Sequence, residues 1–143
     1  WWISATPPEG TSVVLTVTTD EDPEPLAEIE LTLPRRAGIQ RVRLSDHGVE
    51  LVPGVEYEWS ISLGSDPASH ADDQIATGYI TRVDEPGALS GEPRSATALA
   101  AAGLWYDALG AVSDEIQVRP ADPRPRASRD ALLEQAGLTE ARD

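Results

Sequence analysis

The sequence predicts a mainly β fold: an antiparallel immunoglobulin-like β-sandwich followed by a small C-terminal helical segment of two or three short helices. Three observations carry this reading. Apolar and polar residues alternate with period two in short runs through the first 83 residues. Turn chemistry punctuates those runs. Beyond Val83 the apolar period becomes that of a helix.

The strands come first. Val13, Leu15 and Val17 alternate with Val14, Thr16 and Thr18, and Ile29, Leu31 and Leu33 alternate with Glu28, Glu30 and Thr32. A shorter strand covers residues 39–44. The clearest run sets Val55, Tyr57, Trp59, Ile61 and Leu63 against Glu56, Glu58, Ser60 and Ser62, giving one buried and one wet face. Residues 75–83 continue the pattern, with Thr77, Tyr79 and Thr81 on one face and Ala76, Gly78 and Ile80 on the other. Tyr57, Trp59 and Tyr79 are expected in the core. Between the runs lie Pro7-Pro8-Glu9-Gly10, Asp20-Glu21-Asp22-Pro23, residues 34–38, Pro53-Gly54 and Asp66-Pro67, all with turn-forming side chains.

Residues 84–94 read as a Pro/Gly/Glu linker. Ser95 is placed to cap a short Ala-rich helix that Gly103 ends. Trp105, Ala108, Leu109, Val112 and Ile116 then form one apolar helical stripe. Pro120, Pro123 and Pro125 are expected to stop that helix and lie in an extended connection, with Ser128 capping a last helix that carries Leu132, Leu133 and Ala136 and closes at Gly137. Helices this short need packing partners. The expected organisation is therefore a sandwich over 1–83, the linker, and helices over 95–143 packed on the sandwich as one structural unit.

Composition narrows the function. There are 25 acidic residues against 11 basic ones, all of them Arg, for a net charge of −14. Such a surface repels phosphate backbones, and the one Arg cluster (Arg119, Arg124, Arg126, Arg129) is flanked by acids, so no nucleic-acid partner is expected. No apolar window is long enough to span a membrane. Cysteine is absent, which removes disulfides and thiol catalysis, and Met is absent too. The chain begins Trp1-Trp2-Ile3-Ser4, as if partway through an element, so a preceding segment is expected.

Several stretches resemble a bacterial family known as domain of unknown function 928, common in cyanobacteria. They are Ala37-Gly38-Ile39; Leu51-Val52-Pro53-Gly54-Val55-Glu56-Tyr57-Glu58-Trp59; Gly78-Tyr79-Ile80-Thr81-Arg82-Val83; Gly103-Leu104-Trp105-Tyr106-Asp107-Ala108-Leu109; and Leu132-Leu133 with Gly137-Leu138. The fourth is the most specific. Family members often carry Cys-Asp-Pro after the aromatic strand where this chain has Gly64-Ser65-Asp66-Pro67. The resemblance implies an exported protein, periplasmic or extracellular, and brings no activity or functional residues. Residues 100–120 also resemble half of a tetratricopeptide repeat, but one unit does not make a solenoid.

No catalytic constellation stands out. His47 and His70 sit in polar, loop-like stretches, there is no nucleophile elbow, and without Lys a Walker-type phosphate site is excluded. The acidic loop Asp20-Glu21-Asp22 and the group Asp66, Asp72 and Asp73 around His70 match no calcium-loop spacing. No cofactor or metal is expected. What remains are anchors for a partner: Trp1 and Trp2, which face opposite ways on a strand, Tyr106 beside the core stripe, and Arg124 and Arg126. The expectation is a non-catalytic protein-binding or assembly module of the cell envelope, a membrane-extrinsic accessory subunit of a larger complex. The alternative is a carbohydrate- or small-ligand-binding exported sandwich.

Overall fold

A computed structural model describes residues 1–20, 22–64, 73–84 and 94–142. The chain divides into two compact units, Trp1–Asp84 and Glu85–Asp143. The predicted linker lies almost wholly outside the described residues, as do Glu21, Asp66, His70 and Asp72.

The first unit holds six antiparallel strands among the described residues: β1 (Trp2–Ile3), β2 (Ser12–Thr19), β3 (Asp22–Glu30), β4 (Gly38–Ile39), β5 (Glu56–Gly64) and β6 (Gln74–Thr81). Four make one sheet in the order β3-β2-β5-β6, and β1 and β4 pair as a two-stranded ribbon. The antiparallel fold followed by helices is thus present. An immunoglobulin-like strand order is not what the described residues display. One face of the four-stranded sheet is covered by Trp1 and by irregular chain between β3 and β5.

The alternating pattern explains that core. Val13, Leu15 and Val17 of β2 and Tyr57 and Ile61 of β5 are buried with Leu51. Trp1, Leu31, Leu33, Val42, Leu44, Val49 and Val55 pack over them, half-buried. Tyr57 adds a polar tie, its hydroxyl accepting a hydrogen bond from the Val52 N–H at 3.2 Å. Leu63 and Trp59 complete the β5 stripe as half-buried residues rather than fully buried ones.

Three strand expectations are corrected. The strand read at 28–33 instead begins at Asp22, which pairs with Thr19 of β2, and ends at Glu30. Its prolines are tolerated because β3 is an edge strand. The strand expected over 39–44 is only Gly38–Ile39, because its sole pairing is with β1, and Leu44–His47 forms a 3-10 turn. Tyr79 is not in the core. Its cross-strand neighbour is Glu58, so it shares the wet face and is 61 % exposed. Ile80 takes the inward place opposite Tyr57.

In the second unit, α1 (Ala96–Ala101), α2 (Trp105–Val118) and α3 (Pro123–Gln135) are followed by a 3-10 turn at Thr139–Ala141. The Ser95 hydroxyl caps α1, accepting from the Ala98 N–H at 3.2 Å. Gly103 (φ +78) and Gly137 (φ +73) occupy the left-handed position just past α1 and α3. At each end the two following N–H groups turn back onto the last helical turn: Gly103 to Ala100 and Leu104 to Leu99, Gly137 to Glu134 and Leu138 to Leu133. Ala108 and Val112 of the predicted stripe are fully buried and cluster with Ala96, Leu99 and Leu132.

The Pro-rich connection is also corrected. Pro123 and Pro125 lie in the first turn of α3, and the cap is Asp122 rather than Ser128. Proline at the first helical position gives up an N–H that would have no helical acceptor, so it starts a helix as readily as it stops one.

Candidate functional site

The five predicted anchors divide between the two units. Trp1 and Trp2 do face opposite ways. Trp1 packs on the core of the first unit, and its backbone extends the ribbon, with the Gln40 N–H donating to the Trp1 carbonyl at 2.7 Å. Trp2 pairs with Ile39 and is 37 % exposed.

Tyr106 is the second residue of α2 and is 42 % exposed. Its ring stands edge-on to Trp105, with centroids 5.2 Å apart and planes at 82°. Trp105 is itself fixed, because its indole N–H donates to the Leu132 carbonyl of α3 at 3.2 Å. Tyr106 is therefore a partly exposed aromatic ring on a support held by both long helices.

The arginines are more committed than the sequence suggests. Arg124 grips Asp122 two-pronged, Nε to Oδ1 at 3.0 Å and Nη2 to Oδ2 at 2.8 Å. Asp122 also accepts the Arg124 backbone N–H at 3.0 Å, which caps the helix. Hydrogen bonding from the Arg124 side chain, with help from its backbone N–H, lowers the Asp122 pKa from 3.8 to about 2. Arg126 donates to the Pro120 carbonyl, and Arg129 is buried. Arg119 pairs with Glu115 at 3.4 Å. A shallow depression of about 210 Å³ is lined by Glu115, Arg119, Asp122, Arg124, Pro125 and Ser128. Its four charged side chains pair with one another, Arg119 with Glu115 and Arg124 with Asp122.

His47 is exposed on the 3-10 turn. Asp73 accepts from the Ser62 hydroxyl at 2.7 Å. Among the described residues no three His, Cys, Asp or Glu side chains converge on a point where a metal could sit, and no helix is long and apolar enough to cross a membrane.

One surface went unread in the sequence, the outer side of β6. Ile75 and Tyr79 stand there 64 % and 61 % exposed. The available signal was Gly78. It faces Trp59 across the β5–β6 ladder, and the ring lies so close over it that the face bearing Gly78 has to be the inward one.

A family model described as Domain of Unknown Function (DUF928) matches residues 1–143, the whole chain. No curated protein and no solved structure matches.

Proposed function

The chain belongs to the Domain of Unknown Function (DUF928) family, and from that premise we propose that it is a non-catalytic protein-binding or assembly module of the bacterial cell envelope. In this reading it is exported and docks as a membrane-extrinsic accessory subunit on a larger complex. The observation that carries the proposal is Tyr106, 42 % exposed and braced by Trp105, which is tied in turn to Leu132. Interface energy concentrates in a few aromatic and Arg residues, and a ring that is already immobilised loses little entropy on docking. Trp2 is the corresponding anchor on the first unit.

The test is recovery of a partner from envelope extracts by wild type, Tyr106→Ala, a Trp1/Trp2 double-Ala variant and an Arg124/Arg126 double-Ala variant. Tyr106→Ala is expected to reduce recovery about tenfold or more, the scale of a hot-spot loss. The arginine variant should matter less, since those guanidinium groups already have partners within the chain. Unchanged recovery for all three variants rejects the surface.

Tyr79 favours a second reading, a carbohydrate- or small-ligand-binding module. It stands exposed among Glu58, Thr77 and Thr81 on a hydroxyl-rich sheet face. Binding on a glycan panel that is lost in Tyr79→Ala and kept in Tyr106→Ala would select that reading.

A further inference from the structure

The two edges of the four-stranded sheet are built differently. An edge strand presents unpaired N–H and C=O groups, and proteins guard such edges with charge and proline. β3 is guarded: Pro23 and Pro25 bring no N–H, and Asp22, Glu24, Glu28 and Glu30 line it with negative charge. β6 has none of these devices. Its eight residues, Gln74–Thr81, include no charge and no proline, in a chain where a quarter of all residues are charged. Among the described residues β6 pairs only with β5. Its exposed face carries two large apolar side chains, Ile75 and Tyr79.

The spacing of those two residues suits one occupant in particular. In a twofold-symmetric contact the same patch must complement itself. If two copies of β6 pair antiparallel with Thr77 on the axis, residue 75 of each copy falls opposite residue 79 of the other. Ile75 then meets Tyr79 twice, an aromatic on a β-branched side chain on the same face, which is a favourable cross-strand pair. Ala76 meets Gly78 on the other face without crowding. We propose that β6 is a homodimerisation edge, joining two four-stranded sheets into one of eight strands with Thr77 at its centre. This goes beyond the docking surface on Tyr106 and does not depend on it.

Strand-to-strand contacts of this length are small, so dimers are expected at protein concentrations on the order of 100 µM. Each chain carries a net charge of −14, so added salt should strengthen association by screening the repulsion between copies.

The decisive experiment is sedimentation equilibrium on the full chain, with far-UV circular dichroism confirming the fold of every variant. Wild type should rise with concentration toward twice the 15.3 kDa of one chain. Ile75→Glu and Tyr79→Lys, each at an exposed position, should each hold the mass at one chain. The double variant brings opposite charges face to face in the proposed register. It should restore the dimer, and added salt should strengthen that dimer less than it strengthens the wild type, because the new ion pairs are screened along with the repulsion between copies. A wild type that stays at one chain mass throughout, or single variants that still dimerise, would overturn the proposal. So would a double variant that fails to recover, since that excludes Thr77 from the axis. Loss of an envelope partner in the β6 variants of a monomeric wild type would instead assign the edge to another protein's strand.

Discussion

Replacing Gly78 by Ala should destabilise the first unit, against the usual trend. Glycine inside a strand is ordinarily a weakness, and Gly→Ala there gains roughly 0.5–1 kcal/mol. Here a Cβ on residue 78 would stand 2.5 Å from Cζ2, 2.7 Å from Cε2 and 2.9 Å from Nε1 of Trp59. Ordinary contact needs about an ångström more, so the ring has to retreat. Its route is obstructed, because Trp59 is packed against the core that contains Val17 and Tyr57. Overpacking of this kind costs about 1–3 kcal/mol, which exceeds the propensity gain and leaves a net loss of about 1–2 kcal/mol. With the urea dependence usual for small proteins, the midpoint should fall by about 0.5–1 M. The measurement is a urea titration followed by tryptophan fluorescence and far-UV circular dichroism. The companion is the same substitution in a Trp59→Ala background, where the penalty should vanish and leave Ala neutral or better. A midpoint for Gly78→Ala at or above wild type would refute the argument, and so would a penalty that survives without the indole.

Other outcomes follow from the helical unit and from the non-catalytic reading proposed above. Trp105→Phe keeps one aromatic six-membered ring but removes the pyrrole half of the indole, with the N–H that reaches Leu132 and part of the packing on the helical core. It should cost more than the roughly 0.5–1.5 kcal/mol of one hydrogen bond in thermal or chemical unfolding. Ala108→Leu places three extra carbons at a fully buried position facing α1 and α3, and should cost about 1–3 kcal/mol. Asp122, with its pKa depressed to about 2, contributes stability that is fully present above its ordinary value of 3.8 and lost as pH falls through 2. An acid titration of helix content between pH 4 and 2 should show that loss in wild type. In Asp122→Asn, which keeps a capping oxygen but cannot titrate, the corresponding component should be missing. Esterase, phosphatase, peptidase and glycosidase substrates should turn over at background rates. A rate abolished by His47→Ala or His70→Ala would overturn the non-catalytic reading.

The sequence was readable wherever one face of an element was apolar and the other was not. β2 shows this best, since Val13, Leu15 and Val17 alternate with half-buried neighbours as the pattern demands. The same holds for Ala108 and Val112 on α2 and for the glycine stops after α1 and α3. Reading failed where both faces carried comparable residues. In β6 neither set is clearly apolar, and Tyr79 looked like the better core candidate. The choice was made by a contact between strands, Gly78 beneath Trp59, which local periodicity does not encode. It failed again at Pro123 and Pro125, where the same residue type serves to end one helix or begin the next. Asp122 distinguishes the two roles, because its carboxylate accepts from the Arg124 N–H and so marks a beginning. Of the candidate anchors, exposure of Trp2 and Tyr106 followed from position. The internal commitments of Arg124 and Arg126 depend on that helix start, and so were hidden along with it.

The order of strands in the sheet has a consequence for how the chain reaches its native state. β2 with β3, and β5 with β6, are sequence neighbours, and hairpins of this kind close within about 1–10 µs. The central pair is different, because Leu15 must find Ile61 and Val17 must find Trp59 across the whole intervening segment. Entropy for closing so long a loop grows only slowly with length, yet contacts this distant in sequence are what slow folding most. The two hairpins are therefore expected to exist as separate halves before they meet. Until then the inner edges of β2 and β5, rich in Val, Leu, Ile and Trp, lie open to any other chain nearby. The Glu residues along β3 protect the finished sheet and give those inner edges no cover while they wait. The hazard for this protein thus belongs to the interval before the halves join, and it should grow with the concentration of newly made chains.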